Sequence, residues 1–283
     1  MLGLLAEALW VRVTALSRHD RHLAEFAVDD VIMRFDSESD PRISQVVTRA
    51  MYWKARALDA RDESAQAMLL CGLVVERSRG SADAGMRRIE AQAATRKAEL
   101  LARAGSGAEG SAALDAVISD LEGRADPSEE DLLGIALLSR AALLRNERPI
   151  KASVMYGAIA ERFAGGTAPE IGKIVARALM SQAIVLAEAG RPDDAELAFG
   201  HLVTQRPDDA LAALDEEESV DSGVTPAGRL RLAAARLMRA QLLSALERTT
   251  ESQEVLSSLV REFAGEEDHD IVRIVAAADA LRE

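Results

Sequence analysis

Cysteine is nearly missing from this chain: Cys71 is the one thiol in 283 residues. That excludes an internal disulfide framework, leaves too few thiolates for a zinc cluster, and fits a reducing compartment, so a cytoplasmic location is expected. Positive charge is also scarce, with 34 Lys plus Arg against 47 Asp plus Glu and a formal charge of −13. An unaided grip on nucleic acid or an anionic membrane is therefore disfavoured. No apolar run approaches the roughly 20 residues that a membrane-spanning helix needs. The apolar start from Leu2 to Val11 lacks a basic leader, is interrupted by Glu7 and is closed by Arg12, so it reads as an amphipathic helix rather than a secretion signal. Hydrophobic residues at 48% and charged residues at 29% exclude disorder and leave a globular chain.

What the chain does contain is internal repetition. Val28, Cys71, Leu114, Tyr156, Phe199 and Leu256 stand 43, 43, 42, 43 and 57 residues apart. A small residue precedes each by four positions: Ala24, Ala67, Gly110, Ala152, Ala195 and Ser252. Aliphatic residues follow at three and four positions, and this i, i+4, i+7, i+8 spacing marks one face of a helix. A second ladder runs ahead of it through Ala8, Ala50, Ala93, Ala136, Ala178, Ala235 and Ala278, with leucines eight positions on at Leu16, Leu58, Leu101, Leu144, Leu186 and Leu243. Three positions before that ladder the residues are apolar except Glu90. Each unit thus predicts two helices, and period-2 alternation that would indicate strands is not seen.

Punctuation agrees with the ladders. Asp40-Pro41, Asp126-Pro127 and Ala168-Pro169 precede first helices, where proline suits the first helical position and an acid suits the exposed amides. Gly190 through Asp194 separates a first from a second helix. Alanine at the crossing positions lets helices approach closely, and one pair buries only one side, so stability comes from stacking pair upon pair.

Leu179 to Pro207 resembles a tetratricopeptide repeat through Ala183, Leu186, Gly190, Ala195, Phe199, Leu202 and Pro207. The other copies lack the family's first-helix aromatics, often lack the turn glycine, as at Asp62 and Glu247, and run longer than that family's unit. The expected fold is all-α, a right-handed α-solenoid of antiparallel helix pairs with a period of about 43 residues, forming one domain over 1–283. Its units are 1–35, 36–79, 80–123, 124–164, 165–228, 229–265 and a partial 266–283. The resemblance implies a superhelix whose concave side, lined by first helices, holds a protein or peptide segment.

Two irregularities stand out. The 57-residue step carries extra chain between Arg206 and Gly228, rich in acids and expected to be a solvated surface loop with a helical turn at Ala210 to Leu214. Its sharper reading is a docking element for a basic partner. The ends, with Leu4, Leu5, Trp10, Ile271, Ile274 and Val275, are apolar, which implies either self-association or a piece of something longer.

No catalytic, cofactor or metal constellation emerges. Gly105 to Gly110 matches a dinucleotide-loop pattern but follows a helix rather than a strand, so it reads as an inter-helix turn. His19 and His22 lack a third ligand, Cys71 sits on an apolar rung, and the paired aspartates sit at helix starts or on wet faces. The expected function is a non-catalytic protein or peptide interaction scaffold; alternatives are a ligand-responsive regulatory repeat domain and a helical-repeat enzyme. Candidate partner-binding residues are Arg49, Trp53 and Arg56 on a first helix, and Asp215, Glu216, Glu217 and Glu218 in the acidic insert.

Overall fold

The computed structural model describes residues 2–17, 19–124, 126–145, 147–219 and 226–282. Fourteen α-helices and one short 3-10 turn, and no strand, are found among the described residues. They fall into two compact units, Met1–Leu143 and Leu144–Glu283. Unit 1 holds α1 (Leu2–Leu16), α2 (Arg21–Phe35), α3 (Pro41–Asp59), α4 (Ser64–Ser78), α5 (Ala84–Arg103), α6 (Gly107–Arg124) and, after the turn Pro127–Glu129, α7 (Glu130–Leu144). Unit 2 holds α8 (Pro149–Phe163), α9 (Pro169–Glu188), α10 (Pro192–Gln205), α11 (Pro207–Ser219), α12 (Pro226–Ala245), α13 (Thr249–Glu262) and α14 (His269–Ala280). No described helix is long and apolar enough to cross a membrane.

Helix starts follow local chemistry. Asp40, Asp83, Asp126 and Asp268 each accept a bond from a backbone N–H of the first turn, at 2.8, 2.9, 2.9 and 3.0 Å. All four stand ten residues before a ladder alanine, whereas Ala168, at the same distance from Ala178, offers no side-chain acceptor. Helix ends are equally regular. Asp62, Gly105, Gly190 and Glu247 adopt φ of 60, 89, 73 and 60°, each four residues after a ladder leucine. The next residue's N–H returns to that leucine's carbonyl at 2.9 to 3.0 Å, a Schellman closure. The missing glycines at 62 and 247 thus do not change the turn; Asp and Glu adopt the left-handed conformation instead.

Neighbouring helices pack along the ladder faces. Val28, Cys71, Leu114, Tyr156 and Leu256 are buried, as are Ala50, Ala93, Ala136, Ala178, Ala235 and Ala278. Ala8 departs from the expectation: it is exposed, and Ala6 and Val13 form the buried face of α1. A further rung, seven positions beyond the first ladder, comprises buried Phe35, Ser78, Leu121, Phe163 and Phe263, with half-buried Arg206 in the remaining place. Ser78 Oγ has no hydrogen-bond partner there, and the Arg206 guanidinium donates to the Ala164 and Gly166 carbonyls at 2.7 and 3.1 Å, closing the end of α8.

The insert corrects the loop expectation, because its first part is the 13-residue helix α11. Pro207 with Asp208 and Asp209 opens it as a helix start should, and Ala210, Ala213 and Leu214 recur at helical spacing and are buried. It packs against α9 and α12, and more lightly against α10.

Candidate functional site

Trp53 is half-buried and lines a small pocket of about 210 Å³ between α2, α3 and α4, beside Val28 and Gln66. Ion pairs frame it: Lys54 meets Asp29 at 2.6 Å, and Arg61 meets Glu25 at 2.5 Å and Glu63 at 2.8 Å. Arg49 lies elsewhere, with Nη2 4.0 Å from the point that a Cβ on Gly85 of α5 would occupy. Arg56 is exposed and acts electrostatically on Tyr52. Arg49, Trp53 and Arg56 follow one another at i, i+4 and i+7 along α3, and of the three Trp53 is the one that lines the pocket.

Beside Tyr52 lies a polar brace across α3, α5 and α7. Asp59 pairs with Arg96 at 3.1 Å and Arg103 at 2.5 Å, Arg96 reaches Glu99 at 3.2 Å, and Ser139 Oγ donates to Glu99 at 2.5 Å. Burial raises the Tyr52 hydroxyl pKa against the opposing pull of Arg56 and Arg96. A second brace surrounds Glu129, which is buried and held by Arg87 at 3.1 Å and Arg124 at 2.9 Å. Asp126 beside it has its pKa lowered by hydrogen bonds from Ser128. Glu90, the odd member of its ladder, is half-buried with its pKa raised by burial and then by Asp120. In each brace the charges neutralise one another between helices, which suits them to fixing helix positions.

In the insert, Asp215 pairs with Arg239 of α12 at 2.7 Å. Glu216, Glu217 and Glu218 belong to α11, and their side chains lie outside the described residues. Cys71 is fully buried, and burial pushes its thiol pKa up to about 11, so it packs as a small hydrophobe.

A cavity in unit 2 has no counterpart in the sequence pattern. A cavity of about 420 Å³ opens between α9, α10, α11 and α12, walled by Met180, Ile184, Phe199, Leu202, Leu214, Met238 and Leu242, with Glu196 and Gln241 as its polar members. Phe199 is on the expected ladder, but Leu214 comes from the insert and Met238 from α12. Only the packing of α11 beside α9 and α12 brings them together.

Compared with protein-family models and with curated proteins, the chain matches none.

Proposed function

We propose that this chain is a tetratricopeptide-like solenoid of antiparallel helix pairs, about 43 residues per pair, that holds a protein or peptide segment without catalysing a reaction. The observation that carries this reading is the exposure of large apolar side chains on the second helices of unit 1. Phe26 and Met33 on α2 are 74% and 79% exposed, and Leu69 on α4 is 70% exposed. These two helices share one core and are tied by the Arg77–Asp36 pair at 2.7 Å. Exposed apolar groups of this size suit a macromolecular partner. The neighbouring Trp53 pocket supplies a recess for part of such a partner.

The test is affinity capture from cell extract with the full chain and with a Phe26→Asp, Met33→Asp, Leu69→Asp variant. The reading expects a specific partner retained at moderate salt and lost from the variant, with helical content unchanged by circular dichroism. Capture of nothing above background, or of the same proteins by both chains, refutes it.

A further inference from the structure

We infer that the cavity between α9, α10, α11 and α12 binds a small amphipathic cation, an apolar body carrying one ammonium group. This inference stands apart from the scaffold reading. The volume of about 420 Å³ lies within the range of small-molecule sites, and the wall is almost wholly aliphatic, thioether and aromatic. An engineered apolar cavity of about 150 Å³ already takes one benzene, so this one, nearly three times as large, has room for a longer chain or a larger ring system. Met180 and Met238 give it walls that adapt to irregular shapes.

The polar groups select the charge. Glu196 is exposed and brings to the cavity's edge the one carboxylate among the described lining residues, where it has no ion-pair partner among the described residues. No lysine, arginine or histidine is found among the described residues that line the cavity, so a ligand carboxylate would face Glu196 without a counter-charge from them. The amide of Gln241 offers both a donor and an acceptor for a substituent on the ligand body.

Its origin is the irregular step in the sequence. α11 stands as a single helix between the α9–α10 and α12–α13 pairs, packed on α9 and α12 and only lightly on α10. Leu214 is thereby placed at the cavity wall, opposite the ladder residues Phe199 and Leu202.

Isothermal titration of the full chain with decylammonium, decanoate and ethylammonium tests the inference. Decylammonium is expected to bind at one saturable site, at least about tenfold more tightly than decanoate, while ethylammonium, lacking the apolar body, does not saturate. Glu196→Gln is expected to bring the preference for decylammonium over decanoate below about threefold. Ala187→Trp, at an exposed lining position, is expected to block the cavity and abolish both signals with the melting temperature retained. No saturable decylammonium binding up to about 1 mM overturns the inference. So does equal affinity for the two decyl ligands, or binding that survives Ala187→Trp in the folded variant.

Discussion

The side-chain hydroxyl of Ser252 donates to the backbone carbonyl of Ala240, twelve residues earlier, at 2.7 Å. Gly110 stands in the same register to Ala98: a Cβ on Gly110 would lie 2.6 Å from the Ala98 carbonyl oxygen and 3.1 Å from the Ala102 amide nitrogen. Ala67 and Ala195 follow Ala55 and Ala183 at the same spacing. The small-residue ladder therefore marks where a second helix crosses the backbone of the first.

Gly110→Ala is expected to destabilise unit 1 by about 1 to 3 kcal/mol, because backbone and not a flexible side chain stands in the way. Gly123→Ala, in the same helix with nothing within 4 Å of a new Cβ, is the control and should gain up to about 1 kcal/mol from helix propensity. Urea denaturation of both variants checks the contrast. Equal shifts of the same sign would show that α6 does not cross α5 this closely.

The left-handed turns at Asp62 and Glu247 invite the opposite experiment. A non-glycine residue at positive φ costs about 1 to 2 kcal/mol, while glycine's extra freedom in the unfolded chain takes back about 0.5 to 1. Glu247→Gly is therefore expected to raise stability by about 0.5 to 1 kcal/mol. Asp62→Gly should gain less, because aspartate tolerates this conformation better. Gly190→Ala should lose stability at the equivalent turn. Thermal unfolding of the three variants tests the order.

How far the sequence speaks for itself can be judged from these turns. The alanine and leucine ladders locate helices because burial selects the same residue types at each copy, and the buried Ala50, Ala93 and Ala178 bear this out. The rung through Phe35, Ser78, Leu121, Phe163, Arg206 and Phe263 stays hidden because its members share a place and not a chemistry: one is an unpartnered hydroxyl and another a guanidinium capping α8. The N-caps Asp83 and Asp268 lacked a following proline to draw attention to them. The unit 2 cavity was beyond pattern reading, since the composition implies a solvated loop with one helical turn at Ala210 to Leu214, whereas α11 runs from Pro207 to Ser219 and its Ala210, Ala213 and Leu214 are buried. Acid-rich flanks concealed the length of the helix and its burial.

Ala168 is the one described member of its N-cap register without a capping side chain. Its backbone already has the extended φ of −67° and ψ of 136° that a cap requires. Ala168→Asp should therefore add about 1 kcal/mol by accepting from an N–H in the first turn of α9, with further help from the helix dipole. Ala168→Asn should keep the hydrogen bond and most of the gain without the charge. Chemical denaturation of both decides it: no gain in either would mean that the α9 amides are already satisfied.

Cys71 ties stability to alkaline pH in a defined direction. Its thiol pKa is raised from 9.0 to about 11, chiefly by burial. Between these values the unfolded chain has released a proton that the native chain still holds, so stability falls as pH rises through the window. The full effect is on the order of 3 kcal/mol once pH passes the native value, and none of it operates near neutrality. Cys71→Ala starts from a lower stability because it removes a buried sulfur, yet its decline between about pH 9 and 11 should be shallower than that of the native chain. Urea midpoints measured across this range provide the comparison, and parallel declines would assign the alkaline loss to other groups. In the same burial the thiol should react with a soluble disulfide reagent only after unfolding, so the modification rate at pH 8 should follow urea concentration rather than reagent access to the native surface.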